Sequence, residues 1–86
     1  MNKDWTSVKK IGLPELEEVD KYVHKSKNVL IQTKYGDMFV AHCEKRFYEG
    51  KSYEVKWFSY GTGGRKMKVM STVVAWMELP DKYKGE

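Results

Sequence analysis

The chain has 86 residues, of which 41% are hydrophobic and 33% charged, with a net charge of +4 and one cysteine. A chain this short is one domain with one modest core, since it buries only about 60–65% of the surface its unfolded form exposes. The composition excludes a disordered chain, no apolar run approaches the ~20 residues of a membrane-spanning helix, and a lone Cys43 excludes an internal disulfide or a zinc cage built from several cysteines.

In chain order, Met1 to Trp5 lacks the apolar core of a signal peptide, so the expected compartment is the one where the protein is made, a reducing cytoplasm. Trp5-Thr6-Ser7-Val8 reads as a first edge strand or an extended arm. From Pro14 to Lys25 the period changes: Leu16, Val19 and Val23 recur at i, i+3 and i+7, and the spacing predicts a helix over 14–25. Pro14 at its first position, Glu15, Glu17 and Glu18 in its first turn, and Lys21, His24 and Lys25 near its end all suit a helix. Strands are predicted over 28–34 and 38–43, joined by Tyr35-Gly36-Asp37, where glycine supplies the positive φ of a tight turn. A strand over 53–60 puts Tyr53, Val55 and Trp57 on one face and Glu54 and Lys56 on the other. A last strand, 67–79, holds the longest apolar run and is closed by Pro80. Alternation puts Thr72, Val74 and Trp76 on one of its faces and Val73, Ala75 and Met77 on the other, the pattern of an interior strand. Residues 81–86 form a polar tail. The expected fold is α+β: a curved antiparallel sheet of four to five strands with one N-terminal helix packed on it through Leu16, Val19 and Val23.

Several segments together resemble a known family. Trp5-x-Ser7-Val8, Leu13-Pro14, Val29-Leu30-Ile31 followed by Gly36, and Val74-Ala75-Trp76-Met77-x-Leu79-Pro80 resemble the domain of unknown function 551 family, small proteins common in phages and prophages. The likeness spans nearly the whole chain, and the closing Trp-Met-x-Leu-Pro is its most specific part. Members commonly have proline where Glu78 stands here, and a short glycine-containing loop where this chain carries 14–25. The resemblance implies a phage or prophage gene product acting in a bacterial cytoplasm. It assigns no activity and no catalytic residue.

The residues themselves point to binding, not catalysis. His42 and Cys43 are neighbours on a strand, so they face opposite ways and form no Cys–His pair. His24, His42 and Cys43 have no metal-ligand spacing, and no cofactor motif is present. Gly61-Thr62-Gly63-Gly64-Arg65-Lys66 lacks the spacing of a nucleotide-binding P-loop and is followed by a strand. Its amides suit a weak anion-binding nest, or simply a mobile hairpin tip with solvated charges. The stretch 45–68 interleaves lysine and arginine with aromatics, which suits bases stacked on rings and phosphates held by cations. The candidate ligand-binding residues are Arg46, Lys56, Phe58, Tyr60, Gly63, Gly64, Arg65 and Lys66. The resemblance to small phage proteins implies, by analogy at the level of the family, a host bacterial protein or an anionic nucleotide as partner, in a counter-defence role. The alternative is single-stranded nucleic acid on the basic, aromatic-rich half. A homo-oligomer pairing through a sheet edge is a further expectation.

Overall fold

The structure is a computed structural model that describes residues 5–49 and 52–80, so the tail at 81–86 lies outside the described residues. In chain order the strands are β1 (Thr6–Ser7), β2 (Leu16–Asp20), β3 (Val23–Ser26), β4 (Val29–Thr33), β5 (Met38–Phe47), β6 (Tyr53–Tyr60), β7 (Lys66–Lys68) and β8 (Val73–Glu78). They form one sheet in which every pairing is antiparallel.

The ten-residue β5 organises the sheet. Along one edge Ala41–Phe47 pairs with β6, which carries β7 on its outer side. The other edge is divided. Its first half pairs with β4, which leads on to β8 and β1, and its second half pairs with β3, which leads on to β2. Between the two partners the amide of Cys43 has no strand opposite it. The buried hydroxyl of Ser26 accepts that N–H at 2.9 Å and donates its own proton to the Lys27 carbonyl at 2.8 Å. A side chain thereby completes the ladder where two strands meet on one edge.

The helix expected over 14–25 does not exist, and with it the α+β class falls: among the described residues there is no α-helix, and this stretch is the hairpin β2–β3. Three apolar positions over two turns are too few to hold a helix that, at ~12 residues, is marginal by itself. Valines at 19 and 23 favour extended backbone, and Asp20 makes the turn, its Oδ1 accepting the N–H groups of Tyr22 and Val23 at 2.7 and 3.0 Å. The hairpin also satisfies the edge of β5 that β4 leaves bare. Val19 is exposed and Val23 lies on the face opposite Leu16, so the stripe is not a packing surface. Glu17 stands opposite Lys25 across this hairpin.

Three smaller expectations change. β5 runs on to Phe47, past 43. The strand expected over 67–79 is two, because 69–72 carries the chain from the β6–β7 side of β5 to the β4 side and cannot stay in one ladder. In β8 a register shift opposite Gln32 and Thr33 breaks the alternation, so Val73 and Trp76 share the core face while Val74 is exposed. β8 is an interior strand, as expected: it lies between β4 and β1, with Thr6 opposite Trp76.

The core lies on one face of the sheet. Val29, Ile31, Ala41, Cys43, Trp57 and Val73 are buried there, and Val8, Leu13 and Val69 pack against them from the connecting loops. Trp76 donates its indole N–H to the Gly12 carbonyl at 2.9 Å and ties the loop after β1 over that core. Gly12 takes φ +126°, a backbone conformation open to glycine. No described helix is long and apolar enough to cross a membrane.

Candidate anion-binding site

Residues of β5 alternate between the core face and the opposite face. Ala41 and Cys43 enter the core, while His42, Glu44 and Arg46 point the other way. Register places Phe58 opposite His42, Lys56 opposite Glu44 and Glu54 opposite Arg46 on β6. On β7, Lys68 stands opposite Phe58 and Lys66 opposite Tyr60. On β3, Lys25 stands opposite Glu44. This second face is therefore a patch of cations around aromatic rings, and among the described residues no helix or second sheet lies over it.

At its centre is a buried polar network. His42 and Glu44 are 2% and 4% exposed. His42 Nε2 lies 2.7 Å from Glu44 Oε2, and Lys66 Nζ reaches the same oxygen at 2.6 Å. Arg46 Nη2 is 3.5 Å from Glu44 Oε1. On the other side of the imidazole, the Tyr60 hydroxyl is 2.9 Å from Nδ1. The rings of Phe58 and Tyr60 stack on His42 with centroids 5.7 and 5.6 Å away, and Lys66 Nζ sits 4.3 Å from the Phe58 centroid. Burial works against the Glu44 charge, but the hydrogen bonds from His42 and Lys66 outweigh it and hold the carboxyl below the usual carboxylate range. A carboxylate taken this far from water is tolerated only because several donors surround it.

Beside the network a depression of about 310 Å³ is lined by Glu44, Arg46, Lys56, Phe58 and Lys66. Four of the eight sequence-predicted residues, Arg46, Lys56, Phe58 and Lys66, thus meet around one space. Tyr60 adjoins it through His42. Gly63, Gly64 and Arg65 are not among its lining; they sit in the exposed turn between β6 and β7, where Gly63 and Gly64 take φ +76° and +80°. The Gly64 amide is used inside that turn, donating to the Gly61 carbonyl at 2.9 Å. Sequence reasoning missed His42 and Glu44 as parts of the site. Part of the signal was there: with β5 continued beyond Cys43, period two puts both on one face, and the register with β6 makes it the Lys56/Phe58 face.

The lining carries three cations against one carboxylate, and that carboxylate already has partners. The space suits an anion beside a flat ring. A second depression of about the same volume, near Trp76, is lined by Glu15, Glu17 and Glu78 with Lys27 and has the opposite character. Cys43 is fully buried in the core, where burial, and then the Glu44 charge, push its thiol up to about 12. It stays protonated and acts as a packing residue. Among the described residues no three His, Cys, Asp or Glu side chains converge as metal ligands would. Comparison with protein-family models, with curated proteins and with solved structures finds no match to this chain.

Proposed function

We propose that the protein works by binding, and that its ligand is a small anionic molecule with a planar ring, a nucleotide, held on the uncovered face of the sheet. One observation carries this reading: Phe58 lies within a ring of three cations, Arg46, Lys56 and Lys66, around a space the size of a small ligand. The base stacks on Phe58, and the phosphate takes Lys56 and the outward donors of Arg46 and Lys66. In the phage or prophage setting that the resemblance implies, sequestering a signalling nucleotide or blocking a host protein is the use such a site would serve.

A second reading, single-stranded nucleic acid, is favoured by the extension of the basic surface beyond the depression, with Lys68 opposite Phe58 and Lys25 opposite Glu44. Melting of the full chain against a panel of cyclic and linear nucleotides and short oligonucleotides tests both. Nucleotide binding raises the melting temperature with ligand concentration, and Phe58→Ala removes the rise. Strand binding gives a rise that grows with oligonucleotide length and collapses between low and moderate salt. A flat response to every ligand at low salt overturns both readings.

A further inference from the structure

We infer that anion binding at this depression is coupled to proton uptake by His42, through the Tyr60–His42–Glu44 relay. The inference rests on the binding reading above and adds its regulation. An ionised carboxylate only accepts hydrogen bonds, so the imidazole nitrogen facing Glu44 at 2.7 Å carries hydrogen. In the neutral ring Nδ1 then accepts the Tyr60 hydroxyl proton at 2.9 Å. In the cationic ring Nδ1–H donates to the same oxygen, and the hydroxyl turns its proton outward. A hydroxyl serves either role, so this buried imidazole keeps both nitrogens paired in both protonation states. A carbonyl or an amide N–H in the place of Tyr60 would allow only one of them.

The coupling runs through Glu44. Its charge is shared among His42, Lys66 and Arg46. An anion entering the depression competes with that carboxylate for Lys66 and Arg46. As those two turn to the ligand, Glu44 keeps only His42, and a proton on the imidazole restores the lost positive charge. The ligand's own negative charge acts in the same direction. The other ionisable groups that strand register places on this face are Glu17 and Asp20 of β2, Lys25 of β3, Glu54 and Lys56 of β6 and Lys68 of β7, while β4 has none. His42 is the one histidine on this face among the described residues, because His24 stands on the other. The sign follows: a group that holds its proton more tightly in the complex strengthens binding at low pH, and the gain is lost as pH rises.

Calorimetric titration of the full chain near neutral pH, in two buffers of different ionisation enthalpy, tests this. The probes are 3′,5′-cyclic adenosine monophosphate and a six-residue thymidine oligonucleotide, whose phosphodiesters keep their charge throughout. The expected result is a heat that changes with the buffer in the sense of proton uptake, and an affinity that falls with rising pH by up to about tenfold per unit. Nitrogen NMR of the wild-type imidazole should show Nδ1 gaining a proton as the probe is added. Glu44→Gln removes the competing charge, so it should bind the probe more tightly and show a smaller buffer dependence, the part that the ligand's own charge supplies. Heat identical in both buffers, or a Glu44→Gln variant that keeps the full pH dependence, overturns the coupling and leaves the binding reading standing. No heat with either probe overturns the binding reading and the coupling with it.

Discussion

The two faces of β5 solve one problem in different ways. Ala41, His42, Cys43 and Glu44 are buried in succession, yet the odd pair sits among valine, isoleucine and tryptophan while the even pair sits among cations and stacked rings. On the core face burial is favourable in itself, at roughly 25 cal/mol per Å² of apolar surface. On the other face burial of Glu44 and His42 costs free energy and is offset only by the partners around them. The first face therefore specifies stability, and the second holds charged groups in fixed positions with their outer atoms free for a ligand. Substitutions should separate the two roles.

The largest effect belongs to the core face. Ile31 is 0% exposed, and Ile31→Ala should cost about 2–5 kcal/mol in denaturant unfolding. Next is the junction: Ser26→Ala leaves the buried Cys43 amide without its acceptor and should cost about 1–3 kcal/mol, with faster hydrogen exchange at Cys43. Smaller again is the contribution of Glu44 to pH dependence. Its folded-state carboxyl lies below the unfolded value, so the stability it contributes is present above the ordinary carboxylate range and lost as pH falls through the lower, folded-state value. Acid titration of the wild type should show that loss, and Glu44→Gln should flatten this part of the curve. The smallest stability effect is Lys56→Gln, within about 0.5 kcal/mol, although the same change should weaken ligand binding severalfold. A Lys56→Gln variant as destabilised as Ile31→Ala would erase the distinction between the faces.

How far the sequence carries the reader depends on whether a segment's partner is close in the chain. The hairpin of β4 and β5 is legible in its apolar runs and Gly36 turn, and β6 in the alternation of Tyr53, Val55 and Trp57. The same alternation shows that Lys56 and Phe58 share a face. The β2–β3 hairpin is not legible, because Leu16, Val19 and Val23 fit a helical period by coincidence. What decides against the helix is the bare second half of the β5 edge, set by pairing at long range. The bulge in β8 is hidden for a similar reason, since it answers the register of β4 and leaves no glycine or proline as a mark. At the site, Glu44 goes unread because the expected strand ends at Cys43, and His42 because its place beside Phe58 is set by the long-range register of β5 with β6.

The central claim is that the uncovered face of the sheet is the binding surface. Its most direct test is a backbone and side-chain NMR titration of the full chain with cyclic nucleotides and short oligonucleotides at low salt. The account predicts shifts confined to Arg46, Lys56, Phe58, Tyr60, Lys66 and the His42 ring, with Val29, Ile31 and Val73 unmoved. Shifts centred on the Trp76 depression, or none with any of these ligands, would contradict it.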